Sequence, residues 1–211
     1  MAEIRWLGHN CVRIRAKEAT IIADPLTNKF GFPVSKQTAD IVTVSHEHAG
    51  HSNLDMVKPE YKTINGPGEY EIDDVFVTGI QTWHDNEKGS KLGRNTMYLY
   101  EAEGLTFCHL GDLGHSLTAD QVDEMPDIDI LMIPAGSKHL SLETAAEIVA
   151  LIEPKVVIPI QYRSGMGDPS LEPLEPFARA IGADIPEPED KFAIKASELG
   201  ENMRLVVLRP A

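Results

Sequence analysis

The stretch TVSHEHAGHSN, residues 43–53, places His46, His48 and His51 within six positions, directly after an apolar run. That run, DIVTVS at 40–45, is β-branched and of the kind typical of a buried strand. Residues that follow such a strand lie at the edge of a rigid scaffold, where loops usually hold functional sites. A single histidine is most often a structural or surface residue. Three of them in this position indicate a metal site.

The rest of the chain predicts an α/β protein. Short strand patterns dominate the first half, and strands alternate with helices in the second. Helices are predicted after Ser52 or Asn53, after Thr118 with Gln121 completing a capping box, after Ser141, and in the stretch ending at Gly182. This order indicates layered sheets with helices outside them. No linker or repeat divides the chain, so we expect a single domain over residues 1–211.

Charge and hydropathy narrow the function classes. The 211-residue chain carries a net charge of −14 without a cluster of Lys or Arg, which disfavours general nucleic-acid binding and anionic membrane surfaces. No apolar run reaches membrane-spanning length, and the start MAEIRWLG shows no secretory signal, so we expect a cytoplasmic protein. Cys11 and Cys108 lie in apolar stretches, which predicts buried free thiols.

Other polar residues also stand at predicted strand ends. His84 follows the run VFVTGIQTW, Asp112 follows LTFCHLG, and Gln161 follows KVVIPI. If these strands share sheets, their ends meet at one rim. Three imidazoles suit a divalent ion such as zinc, and a carboxylate can bridge to a second ion.

The hexapeptide HEHAGH resembles the His-x-His-x-Asp-His signature of the metallo-β-lactamase-fold hydrolases. The resemblance is closest to the branch that contains ascorbate-6-phosphate lactonase-like proteins and many uncharacterised zinc-dependent hydrolases. Further stretches match that family in order along almost the whole chain: WLGHNCVRI, ADP, NGPGEYEI, WHD, RNTMYLYEAEGLTFCHLGDLGH, ILMIPAG and PKVVIPIQY. The combination is specific, although each stretch alone is weak.

The resemblance implies a fold and a ligand set. The fold would be a four-layered αββα sandwich of two mixed β-sheets with helices on the outer faces, and the metals would lie at the edge between the sheets. His46, His48 and His84 would hold the first ion. His51 would serve the second ion, with Asp112 bridging both.

Two positions depart from the family pattern, and both concern the second ion. The carboxylate of His-x-His-x-Asp-His is Gly50 in this chain, and a histidine expected after the Ile-Pro strand is Gln161. Glycine supplies no ligand, and an amide is a much poorer zinc ligand than imidazole. We therefore expect one strongly held ion and a second that is weak or absent. Substituting Gly50→Asp together with Gln161→His should raise the metal content.

Zinc is the expected metal, with manganese and iron as alternatives. The predicted function is that of a metal-dependent hydrolase, in which activated water attacks a phosphodiester, lactone or related ester. Asp112 is the predicted catalytic residue, as a ligand or as the base that orients this water. The expected partner is a small-molecule substrate, and a cationic metal site is compatible with an anionic one.

Three further residues are predicted around the metals. His9 and His115 are candidates for facing the substrate or supporting a ligand, and Asp24 is a candidate for orienting a liganding histidine, since metal-bound imidazoles usually have such a partner. A competing hypothesis is a catalytically degenerate member of the same fold that serves as a binding or regulatory module. Shared fold alone does not establish activity.

Overall fold

A six-stranded mixed sheet contains most of the N-terminal third of the chain. The computed structural model describes all residues, 1–211. The strands of this sheet are β1 (Ala2–Gly8), β2 (Cys11–Arg15), β3 (Thr20–Ala23), β4 (Ile41–Val44), β5 (Lys62–Asn65) and β12 (Phe192–Ile194). Their spatial order is β12-β1-β2-β3-β4-β5. Pairing is antiparallel from β12 to β3 and parallel from β3 to β5.

A seven-stranded mixed sheet follows. Its strands are β6 (Gly68–Ile72), β7 (Val75–Trp83), β8 (Arg94–Ala102), β9 (Leu105–His109), β10 (Ile130–Pro134), β11 (Val156–Ile160) and β13 (Arg204–Leu205), in the order β13-β11-β10-β9-β8-β7-β6. The first four pair antiparallel, and β9, β10, β11 and β13 pair parallel. The predicted pair of mixed sheets is thereby confirmed.

The three α-helices all lie in the second half of the chain: α1 (Ala119–Asp123), α2 (Leu142–Ile152) and α3 (Leu174–Ala180). The predicted capping box between Thr118 and Gln121 begins α1, and the Ser141 side chain caps α2. The helix predicted after Ser52 or Asn53 is only a single 3-10 turn at Leu54–Met56. No helix is long and apolar enough to cross a membrane.

Four strands end beside one another at the edge between the two sheets. His46 follows β4, His84 follows β7, Asp112 follows β9, and Gln161 follows β11. In the second sheet β9, β10 and β11 are parallel, so their carboxyl ends reach the same edge. The strand-end residues singled out by the sequence therefore gather on one rim.

The two sheets are joined by an apolar core and a few buried hydrogen bonds. The core is one cluster of 57 buried hydrophobic residues, which includes the free thiols Cys11 and Cys108. The Tyr98 hydroxyl, on β8, donates to the Val44 carbonyl at 2.9 Å and accepts from the Gly66 amide at 2.9 Å. Tyr98 therefore connects the second sheet to the end of β4, immediately before the histidine segment.

Tyr98→Phe removes this connection without changing the ring that packs in the core. The substitution leaves buried partners of the hydroxyl unpaired, so we expect it to lower the free energy of unfolding by about 1–3 kcal/mol in urea denaturation. Tyr70→Phe is the matched control, because Tyr70 is only half-buried and its hydroxyl makes long contacts of 3.3–3.4 Å. Equal stability losses in the two variants would contradict the role given to Tyr98.

Candidate metal centre

The segment after β4 folds into a tight turn that brings its histidines together. The His48 amide donates to the His46 carbonyl at 2.9 Å, and the His51 amide donates to the His48 carbonyl at 2.9 Å. The turn buries His46 and His51 and leaves His48 exposed. One face of the site is therefore open to solvent.

Two groups of side chains could each hold an ion. In the first, the ligand atoms of His46, His48 and His84 lie within 4.8 Å of one another, with His46 Nε2 2.9 Å from His48 Nδ1. In the second, His46 and His51 approach Asp112. The Asp112 Oδ2 atom lies 3.2 Å from His51 Nε2, 3.2 Å from His84 Nε2 and 3.8 Å from His46 Nε2. Asp112 thus stands between the two groups, where the resemblance expects a bridging carboxylate.

The carboxylate of Asp24 forms hydrogen bonds with Ser45 and His51 and so holds this segment in place. Asp24 is fully buried. It accepts hydrogen bonds from the Ser45 amide at 2.8 Å, the Ser45 hydroxyl at 2.6 Å and His51 Nδ1 at 2.7 Å. Asp24 therefore holds the Ser45 and His51 side chains in place, and its role in orienting a metal ligand stays a prediction.

The hydrogen bonds around Asp24 determine which ring nitrogens are free to bind a cation. Because the Ser45 hydroxyl donates to Asp24, its oxygen accepts from His46 Nδ1, 2.9 Å away, and the His46 proton is on Nδ1. His51 likewise donates from Nδ1 to Asp24. Both rings therefore turn Nε2 toward the centre of the site.

His84 completes the fit to a cation. It is buried, and neither of its ring nitrogens has a hydrogen-bond partner, although Nε2 lies 3.2 Å from Asp112 Oδ2. Buried polar atoms are normally paired, so an unpaired imidazole beside other inward-facing nitrogens fits a site that binds a metal cation. Three neutral imidazoles with an adjacent carboxylate are a donor set that suits a divalent ion.

Burial and neighbouring charges shift the pKa values of the ionisable groups in the site. Burial lowers the pKa of His46 to about 3 and that of His9 to about 4, with the His51 charge adding to the effect. Burial opposes the charge of His51 too, but the Asp112 and Asp24 carboxylates outweigh it and raise the pKa of His51 to about 10. Burial opposes ionisation of Asp112, yet His51 holds its pKa well below the usual range.

Two buried asparagines position Asp112, and the sequence did not single them out. The Asn10 side-chain amide donates to Asp112 Oδ1, and the Asn95 side chain accepts from the Asp112 amide at 2.9 Å. Gly111 makes this approach possible, since a Cβ there would lie 2.5 Å from Asn95 Oδ1. Asn95 stands among other polar residues at the start of β8, so no sequence signal identified it.

Asp85 holds the loop that follows His84. Its carboxylate accepts from the backbone amides of Glu87, Gly89, Lys91 and Leu92 at 2.7–2.9 Å. These amides, that of Leu92 most of all, lower the pKa of Asp85 to about 2. Sequence reasoning missed this role, because four amides of one loop converge only in the folded chain.

A cavity of about 260 Å³ opens onto the centre, and His9, His139 and Gln161 line it together with four of the ligand candidates, His48, His51, His84 and Asp112. His9 packs against Gly50: a Cβ at position 50 would lie 2.8 Å from the His9 ring and 2.9 Å from Phe30. The space next to the missing carboxylate is therefore already filled. A larger cleft of about 670 Å³, beside Arg163 and Arg209, contains no cluster of metal-ligating side chains.

Two other histidines support the scaffold and do not line this cavity. His109 uses both nitrogens, donating from Nε2 to the Asn10 carbonyl at 2.9 Å and accepting from the Gly111 amide at 3.2 Å. His115 donates from Nδ1 to the Ser116 carbonyl and accepts from the Trp83 amide at Nε2. His115 is thus bonded to the backbone at Trp83, next to His84 in the chain, and is not among the residues that line the cavity.

Comparison with known proteins identifies the family of the chain. The family model described as "Beta-lactamase superfamily domain" matches residues 3–161. A solved structure from Thermotoga maritima, provisionally described as a Zn-dependent hydrolase of the metallo-β-lactamase superfamily, superposes with a TM-score of 0.80. The two chains are 31% identical, over 99% of this chain and 98% of the other. The chain belongs to the metallo-β-lactamase superfamily.

Other relatives agree with this membership. A protein of Lysinibacillus sphaericus named "UPF0173 metal-dependent hydrolase" is 26% identical over 93% of this chain and 97% of its own length. CmlA, a diiron β-hydroxylase from Streptomyces venezuelae, shares the fold with a TM-score of 0.59 and 14% identity, over 88% of this chain and 48% of CmlA. By class, the chain is a metal-dependent hydrolase of the superfamily.

Asp24→Asn tests how far the metal centre depends on the buried carboxylate. Asparagine fits the same space and tolerates the positive φ of 49° at this position. Its side chain is uncharged, however, and has one oxygen in place of the two that accept hydrogen bonds in Asp24. We expect zinc affinity, measured by competition with a chromophoric chelator, to fall by about 10–100-fold. Asp40→Asn is the control, because Asp40 accepts from the Thr20 amide on the same sheet, outside the site. Unchanged affinity in Asp24→Asn would contradict this role.

Proposed function

We propose that the chain hydrolyses a phosphodiester, lactone or related ester with the help of one strongly held divalent ion, zinc being the first choice. Two facts about the three histidines carry the proposal. The ligand nitrogens of His46, His48 and His84 lie close together, and the ring nitrogens of buried His84 have no hydrogen-bond partner. Assignment to the branch with ascorbate-6-phosphate lactonase-like proteins is part of the same proposal and is supported by the sequence motifs.

A divalent ion at the three histidines would supply Lewis-acid activation of water near neutral pH. The chain's own residues do the rest. Asp112 stays ionised because His51 stabilises its charge, so its Oδ2 can accept a hydrogen bond from the attacking water and orient it. Hydrolysis joins the water oxygen to the acyl carbon or phosphorus and breaks the bond to the leaving oxygen. Asp112 is placed to pass the water proton to that oxygen.

Two observations support one strong ion over two. With His46 assigned to the first ion, the second ion keeps two ligand candidates: His51, and Asp112 as a bridge. Gly50 has no side chain, and Gln161 offers only an amide. The His9 ring also occupies the space beside Gly50. A second ion would have too few protein ligands to be held tightly.

The nitrogen-rich donor set favours zinc, because imidazole suits zinc while harder, oxygen-preferring ions such as manganese choose carboxylates. Iron is the runner-up, since the diiron enzyme CmlA shares the fold. A binding or regulatory module is the second candidate function. It is supported by the same two departures at Gly50 and Gln161, which leave one metal position incomplete.

Hydrolysis and metal dependence can be tested together with His48→Ala. His48 is exposed, so its removal should leave folding intact while breaking the three-histidine set. On a panel of phosphodiesters, lactones and esters, we expect zinc-loaded parent protein to hydrolyse at least one class and the variant to lose more than about 10²-fold in rate. Chelator treatment should abolish activity and added zinc should restore it. A parent and a variant that are equally inactive on every substrate would favour the binding module.

The expectation that Gly50→Asp with Gln161→His raises the metal content is modified by the structure. An aspartate side chain introduced by Gly50→Asp would collide with the His9 ring, so we expect the double variant to stay near one zinc per chain by elemental analysis. Adding His9→Gly clears the space and suits the positive φ of 50°, and this triple variant should approach two ions. Two tightly held ions in the parent or in the double variant would contradict the one-ion proposal.

A further inference from the structure

His9 and Gln161 form one wall of the cavity with side chains that make no hydrogen bond to the protein. His9 exposes 9% of its surface and Gln161 exposes 4%. Of their polar atoms only Gln161 Oε1, an acceptor, is buried without a partner, and the donor Nε2 of the same amide makes no hydrogen bond and is not enclosed. The Gln161 –NH₂ group and the His9 ring therefore line the cavity without a protein partner, and a ligand that accepts hydrogen bonds there would pair them.

The backbone holds these two residues rigidly side by side. The Gln161 amide donates to the His9 carbonyl at 3.1 Å, and Trp6 Nε1 donates to the same carbonyl at 2.8 Å. Both residues have left-handed backbones, with φ of 50° at His9 and 49° at Gln161. Such strain persists where the surrounding structure enforces it, and it clusters at ligand-binding positions. The His9 ring is further fixed by stacking on Phe30, with ring centres 4.6 Å apart.

The charges of the cavity wall decide between the substrate classes of the proposed function. No arginine lines the cavity, and its one lysine, Lys138, is exposed and donates to Ser170 Oγ at 2.8 Å. Asp112 and Asp168 also line the cavity. Phosphoryl transfer relies on several cations around the phosphoryl oxygens, commonly paired metals or arginines. Acyl transfer needs donors for a single developing negative charge.

We propose that His9 and Gln161 are substrate-binding residues that donate hydrogen bonds to the oxygens of a small, uncharged carboxylic ester. This inference rests on the proposed function and narrows its substrate class. The cavity of about 260 Å³ is smaller than typical sites for drug-sized ligands, so it selects a short acyl group. Its apolar lining residues, Phe30, Leu92 and Leu171, suit the carbon part of that group.

The chemical step balances without a further reactant. The water oxygen bonds to the acyl carbon while the carbonyl π electrons move onto the carbonyl oxygen, where the Gln161 amide or the His9 ring N–H can donate. The carbonyl then re-forms and the bond to the alkoxy oxygen breaks. That oxygen takes the proton from water, and the products are a carboxylic acid and an alcohol.

Gln161→Met keeps the side-chain length and removes the hydrogen-bonding groups, so comparing it with the parent, both loaded with zinc, tests the inference. With p-nitrophenyl acetate, we expect kcat/KM to fall at least about tenfold, as on loss of an oxyanion donor. Binding of 1,1,1-trifluoroacetone, whose hydrate mimics the tetrahedral intermediate, should weaken similarly by ¹⁹F NMR. Zinc content should stay at the parent value. Gln81→Met, at an exposed position of β7, is the matched control and should change neither quantity.

His9→Asn is a second variant that suits the positive φ but shortens the reach of the side chain, and it should weaken trifluoroacetone binding in the same way. A parent that prefers bis(p-nitrophenyl) phosphate over the acetate ester would overturn the inference, as would unchanged ester kinetics in both variants. Loss of zinc in Gln161→Met would overturn it too, because Gln161 would then be a metal ligand. Failure of the proposed function is distinct: the parent would bind no zinc and hydrolyse nothing.

Discussion

The buried carboxylate of Asp24 is the contact on which the rest of the metal centre depends. It lies at the end of β3 and reaches both the end of β4 and His51, so a single anion connects two strands to the metal-binding turn. A buried charge is costly unless it is paired and hydrogen-bonded. Asp24 meets that condition by accepting from Ser45 and His51, and the same bonds fix the tautomer of His46 and the orientation of His51. The hydrogen bonds that stabilise the buried Asp24 carboxylate therefore also orient the candidate ligands His46 and His51.

Strand periodicity and local motifs predicted much of the fold. The caps at Thr118 and Ser141 follow from local capping chemistry, which acts over a few residues, whereas the two mixed sheets were expected from the family resemblance. The turn at Leu54–Met56 is shorter than the predicted helix. A 3-10 turn satisfies its own backbone there, and the segment is too short for packing to extend it into an α-helix.

The candidate site was predictable where its residues are clustered in sequence or stand at strand ends. His46, His48, His51, His84 and Asp112 met one or both conditions, and the structure brings them together. Asn10 and Asn95 were not predictable, because their contacts with Asp112 span 102 and 17 residues along the chain. The sequence also showed Gly50 only as a missing ligand. Its contact with His9 emerges from the packing of a strained turn against the histidine segment.

The most direct test of a one-ion centre is anomalous diffraction from crystals of zinc-loaded protein, with data collected on both sides of the zinc absorption edge. We predict one strong peak within bonding distance of His46, His48 and His84, with Gln161 and His9 making no bond to it. Two peaks of similar height about 3.5–4 Å apart, as in two-metal sites, would contradict a one-ion centre.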